Sequence, residues 1–430
     1  MALIFPTPLQ LADSPAQHKS THATVLQDPS SNGRHPMTAS QLLHGILCML
    51  TTTAITLAAD SLKRLGPATT GFPSATVVTG PLLWTSQILP DKTSANALTP
   101  QLTSCLQQLQ TRLSAHHSSM QHIVRLHVCC SSAEHLKSAL EQLATAFPDH
   151  QRPGISGVVT ALPADSLVAL DATALSTAAA TADVQVHDGI ALLPQGTRIF
   201  IAGQAEPSEN LAEATTKTLQ SLQRTLQFLG RSDADIVQLK AFVQPLSKAA
   251  LVQQQVARFY AGRTVPPLVL VEWKSSASVP VEIELVAWGG PAPASAPAVE
   301  YLTPPFMTAS PVYSRIARTN HPSLIFTSGL QQAAGNTAAT ADEAAAAEVT
   351  DIFNQLTSLL QSANSDLEHL VKATYYVSAE PVSLSLNMLR PRYYNPARPP
   401  AASKAMVQGI GPAARTLSMD MIAVPTVDKR

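Results

Sequence analysis

Apolar and polar positions along the chain repeat one pattern three times. Each round opens with a short run of aromatic and branched residues that stops at a turn: Pro81-Leu-Leu-Trp-Thr-Ser-Gln87, Thr197-Arg-Ile-Phe-Ile-Ala-Gly203 and Ser323-Leu-Ile-Phe-Thr-Ser-Gly329. Such runs predict strands. Apolar positions three and four apart come next: Leu102, Leu106, Leu109 and Leu113, then Leu219, Leu222, Leu226 and Leu229, then Val349, Ile352, Leu356 and Leu359. That spacing places them on one face of a helix, ready to cover a sheet.

A polar turn and a second strand follow in every round, starting at Ile123, Ile236 and Leu370. A second helix then runs to Phe147, to Phe259-Tyr260 and to Tyr393-Tyr394. Two closing strands end the unit: Val158 to Ala161 with Leu167 to Ala172, Leu268 to Trp273 with Val281 to Ala287, and Ala405 to Gln408 with Thr416 to Val424. The same order recurring at a spacing of roughly 110 to 135 residues marks an internal repeat. The predicted unit is β-β-α-β-α-β-β, an α+β layer with its helices on one face.

Two breaks in composition divide the chain. Residues 1–40 are rich in Pro, Ser, His and Gln without hydrophobic periodicity, which predicts a disordered leader. Pro291-Ala-Pro-Ala-Ser-Ala-Pro297 holds neither a helix nor a central strand and reads as a linker. The expected domains are 41–178, 179–290 and 298–430.

The chain is 45% hydrophobic and 13% charged, with 28 Lys and Arg against 29 Asp and Glu. No strong field draws it to nucleic acid or to an anionic membrane, and no basic groove or aromatic stacking platform is recognisable. A small-molecule partner fits this surface. Cys48, Cys105, Cys129 and Cys130 form neither a metal-binding pattern nor a disulfide framework, and the 13 histidines have no ligand spacing. The expectation is a cytoplasmic protein without metal or cofactor. The apolar stretch from Leu42 to Ala59 reads as a helix, with an export signal as the alternative.

The third copy carries Tyr313-Ser314 ahead of its opening strand, Phe326-Thr-Ser-Gly329, Val371-Lys-Ala-Thr-Tyr-Tyr-Val377, Asn387 six residues before Tyr393, Pro399-Pro400, and Asp420-Met-Ile-Ala-Val424. The second keeps Ile201-Ala-Gly203, Phe259-Tyr260, Pro266-Pro267 and Val281 to Ala287, and the first keeps Leu83-Trp-Thr-Ser86 and Ala161-Leu-Pro163. Taken in order, these motifs resemble the RidA/YjgF family of reactive-intermediate deaminases, also labelled endoribonuclease L-PSP. The resemblance spans about residues 70 to 425. It implies three tandem chorismate mutase-like domains folded as a pseudo-trimer around a central barrel, monomeric as a chain, with ligand clefts between copies.

The family's deaminases hydrolyse enamines and imines, using an arginine on the first closing strand and a glutamate on the last. By the resemblance, the arginine position falls on Gly154, Pro267 and Ser403, none of them arginine. The glutamate position falls on Ala169, Glu282 and Ser418, which makes Glu282 the candidate catalytic residue. Tyr313, Ser328, Gly329, Asn387 and Gly203 match pocket-lining positions, and Lys404 adjoins a vacated arginine position. Strand alternation points Lys404 away from the cleft. Glu284, two residues from Glu282, shares its face, so a pair of cleft carboxylates is expected. The function read from the sequence is a diverged imine or enamine hydrolase at an inter-domain cleft. Its alternatives are a non-catalytic ligand-binding or scaffolding protein and a chorismatase-like hydrolase.

Overall fold

A computed structural model of the chain describes residues 61–67, 71–163, 165–179, 181–274, 279–333, 340–411 and 414–426. The leader and the apolar stretch before Ala59 lie outside the described residues. The strands are β1 (Leu62–Pro67), β2 (Pro73–Thr79), β3 (Leu82–Thr85), β4 (Ile123–Cys130), β5 (Gly154–Val159), β6 (Val168–Leu175), β7 (Gln185–His187), β8 (Ile190–Leu193) and β9 (Arg198–Gln204). They continue as β10 (Ile236–Val243), β11 (Leu268–Glu272), β12 (Val281–Trp288), β13 (Val299–Leu302), β14 (Ile316–Thr319), β15 (Ser323–Thr327), β16 (Leu370–Val377), β17 (Ala401–Met406) and β18 (Leu417–Ala423). The helices are α1 (Leu98–Ala115), α2 (Ala133–Ala146), α3 (Leu211–Phe228), α4 (Ala249–Phe259), α5 (Ala341–Ser362) and α6 (Glu380–Leu389).

Local chemistry explains where the helices start. Asn210 accepts from the Ala212 and Glu213 amides ahead of α3, Ser132 accepts from His135 ahead of α2, and Thr340 and Glu343 form a reciprocal capping box on α5. The apolar stripe of each long helix turns inward: Leu102, Leu109 and Leu113 on α1, Leu219, Leu222 and Leu226 on α3, and Val349, Ile352 and Leu356 on α5 are buried.

The strands form three six-stranded sheets, in the orders β5-β4-β6-β3-β8-β7, β11-β10-β12-β9-β14-β13 and β1-β2-β15-β18-β16-β17. Four strands of each sheet come from one copy of the repeat. The outer hairpin does not: β7–β8, which leads into β9, pairs with β3, while β13–β14, which leads into β15, pairs with β9. The hairpin β1–β2, which leads into β3, pairs with β15. The exchange is therefore cyclic, each copy lending its leading hairpin to another copy's sheet.

Arg198 ties these crossings together. Its buried guanidinium donates to the carbonyl of Gly80, between β2 and β3, at 3.0 Å and to that of His321, between β14 and β15, at 2.8 Å.

Every residue of β4, β10 and β16 is buried, because helices cover one face and the other sheets cover the second. Each sheet makes an apolar core with its own helices, and a fourth core is shared by residues of all three sheets, among them Trp84, Phe200, Val286 and Phe326. Buried charges also join the inner faces. Asp171, Glu284 and Asp420 occupy matching register positions on β6, β12 and β18. Asp420 pairs with Arg125 of the first sheet, Glu284 with Lys372 of the third, and Asp171 with His127 at 2.8 Å on its own sheet.

The expected central barrel is not formed. Closing a barrel requires continuous hydrogen bonding from edge to edge, and each of these sheets is open. Where one sheet's edge meets the next, the pairing shrinks to single contacts: Gly329 N–H to the Ile155 carbonyl at 2.9 Å, Gln87 N–H to Leu268 at 3.0 Å, and Ser314 N–H to Pro400 at 3.0 Å. Side-chain packing, rather than a closed ladder, joins the three layers.

Candidate functional site

The three seams between sheets hold matching positions with different chemistry. Each opening strand ends at Gln87, Gly203 or Gly329, and the neighbouring sheet supplies an edge strand, β11, β17 or β5 respectively. In register, Ala169, Glu282 and Ser418 lie opposite Cys129, Phe242 and Tyr376, the seventh residues of β4, β10 and β16. Only the Gly203 seam carries an acid at this position.

Glu282 is partly exposed, and its carboxyl lies directly against the Cα of Gly203, where a Cβ would collide with it. Ser403 of β17 binds both partners across the seam, accepting from the Gly203 amide at 3.1 Å and hydrogen-bonding the Glu282 carboxyl. Burial pushes the Glu282 pKa up to about 7, and the charge of Glu284 adds to the rise, against the pull of Lys372, Ser403 and Arg315.

Lys404 follows Ser403 on β17 and points to the opposite face, as alternation requires. Its ammonium donates to Ser383 at 3.0 Å and Asn387 at 3.2 Å, both on α6. Burial lowers its pKa, Arg390 lowers it further, and the charges of Glu380 and Glu282 act in the opposite sense. Tyr313 lies under the guanidinium of Arg315, which is 5.0 Å from the ring centre, and packs on the shared apolar core.

Five of the residues read from the sequence thus meet around one seam between the second and third sheets: Glu282, Gly203, Lys404, Asn387 and Tyr313. Ser328 and Gly329 do not join them. They lie at the seam of the third sheet with the first, where the Ser328 hydroxyl donates to the Pro73 carbonyl at 2.5 Å and accepts from the Ile155 amide at 3.1 Å. Glu284 is no second cleft carboxylate, because it is buried in its ion pair with Lys372. Counting from prolines also misplaced one arginine position. Gly154 lies opposite Arg125 and Ala401 opposite Lys372, whereas Ser403 lies opposite Thr374, two residues further along. The counterparts of Ser403 are Ser156 and Val269, again not arginine.

Ser403 and Arg315 were missed as members of the Glu282 seam. Arg315, two residues after Tyr313, carried a signal in its spacing; Ser403 carried none, since its role depends on contact between copies.

No family model matches the chain, and no curated protein matches it. Solved structures match about one copy's length of it. A member of the YjgF/YER057c/UK114 family from Mycobacterium tuberculosis is 26% identical over 22% of this chain and 80% of its own, with a TM-score of 0.21. A YjgF-family protein from Neisseria meningitidis is 22% identical over 30% of this chain and 96% of its own, with a TM-score of 0.22. TdcF from E. coli, solved with bound serine, is 21% identical over 22% of this chain and 81% of its own, with a TM-score of 0.21.

Three exchanged α+β units with chemically distinct seams define a tandem-repeat protein. The order of motifs in its copies and its thrice-repeated six-stranded sheet place the chain in the RidA/YjgF superfamily.

Proposed function

We propose that the chain is a diverged Rid-type hydrolase that adds water to a small imine or enamine at the Glu282 seam. The observation that carries this reading is the seating of one carboxyl. Glu282 rests on Gly203, is hydrogen-bonded to Ser403 of the neighbouring sheet, and lies within electrostatic reach of Arg315 and Lys404. A carboxyl that titrates near neutrality is suited both to taking a proton and to returning it.

In the proposed reaction Glu282 removes a proton from water as the water oxygen bonds to the imine carbon. The electron pair of the C=N bond moves to nitrogen, which is protonated. In the resulting carbinolamine the hydroxyl loses its proton, the C=O bond forms, the C–N bond breaks and ammonia leaves. An enamine enters the same sequence after protonation at carbon. Imine and water are thereby converted to carbonyl compound and ammonia, with no redox change.

β17 offers no arginine fork for a substrate carboxylate, and Lys404 is engaged with α6. The substrate is therefore expected to bear an uncharged head group rather than an amino-acid carboxylate. The test measures ammonia and carbonyl release from imines generated by an amine oxidase and by an amino-acid oxidase. The native chain is expected to accelerate release, most with the amine-derived imines, and Glu282→Gln to lose about 10²- to 10⁴-fold. No acceleration with either source would overturn the proposal.

A further inference from the structure

A cavity of about 670 Å³ opens at a different seam, between the first sheet and the third. Ile155 and Gly157 of β5, Leu136 and Leu140 of α2, and Leu330 after β15 line it, with Arg415 at the rim.

Register explains why space exists here. Gly157 lies opposite Val128, the sixth residue of β4, and Lys404 lies opposite Tyr375, the sixth residue of β16. Counted from the ends of those strands, Leu136 and Leu140 of α2 match Ser383 and Asn387 of α6. In the third copy Lys404 crosses to α6 and bonds both of those polar residues. In the first copy a glycine leaves that volume unfilled and leucines replace the polar partners. The acid of the other seam is replaced as well, by Ser418. The result is an apolar chamber without an acid at the position Glu282 holds, of a volume that encloses a small organic molecule.

Arg415 supplies its polar end. One guanidinium nitrogen donates to Gln331 Oε1 at 3.1 Å, and Gln331 is itself anchored on the Ile410 carbonyl at 2.7 Å. Among the described residues no acid pairs with Arg415. A held guanidinium with donors to spare beside an apolar chamber matches a carboxylate on an apolar tail.

We propose that this cavity is a second, non-catalytic site that binds an apolar carboxylate, its tail among Leu136, Leu140 and Ile155 and its head on Arg415. The site does not depend on the hydrolase reading.

Isothermal titration calorimetry of the full chain with decanoate and with decanol tests it. Decanoate is expected to bind, decanol more weakly. Arg415→Gln removes the charged partner and is expected to weaken decanoate at least about tenfold while leaving decanol unchanged. Gly157→Val adds a side chain whose Cβ falls 3.0 Å from Leu136 Cδ1, which drives that leucine into the chamber. It is expected to abolish binding of both compounds. If circular dichroism shows that Gly157→Val has not folded, the Arg415→Gln comparison decides. Failure of decanoate to bind the native chain, or equal binding by Arg415→Gln, would overturn the proposal. So would loss of binding in Glu282→Gln with retention in Arg415→Gln, because the ligand would then occupy the other seam.

Discussion

Arg125 on β4 of the first sheet and Asp420 on β18 of the third form a buried ion pair across 295 residues of sequence. Removing one partner strands the other charge in a region closed to water. Arg125→Ala is expected to cost about 3–5 kcal/mol of stability, seen as a fall in the urea midpoint. Arg125→Met combined with Asp420→Leu should recover most of that loss, since an apolar pair of similar volume leaves no charge unpaired. Equal midpoints for Arg125→Ala and the native chain would show that the pair does not hold the two sheets together.

The cyclic hairpin exchange has a direct chemical test. Thr79 on β2 lies opposite Ser323 on β15, with the two hydroxyl oxygens 2.7 Å apart. The double variant Thr79→Cys/Ser323→Cys is expected to form a disulfide under mild oxidation, detected by mass spectrometry of the proteolysed chain. Absence of the crosslink would place β2 in another sheet.

This exchange marks where sequence reading stopped. Burial on both faces made Ile123–Cys130, Ile236–Val243 and Leu370–Val377 plain as strands, and leucines spaced by three and four exposed the long helices. These signals are local. The links at Gly80-Pro81 and at Asn320-His321-Pro322 look like ordinary hairpin turns in sequence, yet the strands they join pair in different sheets. Which edge a strand joins is decided by contacts hundreds of residues away. For the same reason the site was half legible. Glu282 and Gly203 stood out in their own copy, whereas Ser403 matters only because β17 of another copy reaches Gly203.

Gly203 is needed for its missing side chain. In Gly203→Ala the new methyl group would strike the Glu282 carboxyl, the mobile end of a side chain, so the carboxyl moves while the strand stays. Imine hydrolysis is expected to fall by about 10²-fold, as misplacement of a reacting group does, with little change in melting temperature. Retained hydrolysis would dissociate Glu282 from the chemistry.

Glu282 also ties stability to pH. Its carboxyl ordinarily titrates at 4.5 and is raised to about 7 in the folded chain. Below pH 4.5 both folded and unfolded chains hold the proton, and the group contributes nothing to the pH dependence. Between 4.5 and 7 the folded chain retains a proton that the unfolded chain has lost, so stability falls as pH rises. Glu282→Gln lacks this loss. Its stability relative to the native chain is expected to increase across that window and level off above pH 7, read from urea midpoints at several pH values.

The pH profile of kcat/KM for imine hydrolysis tests the role of Glu282 most directly. A general base with a pKa raised to about 7 gives a rate that climbs with pH and bends near 7. The native chain should show that bend and Glu282→Gln should lose it together with the activity. A native profile that stays flat from pH 5 to 9, or a bend that survives in Glu282→Gln, would contradict the assignment of acid–base chemistry to this seam.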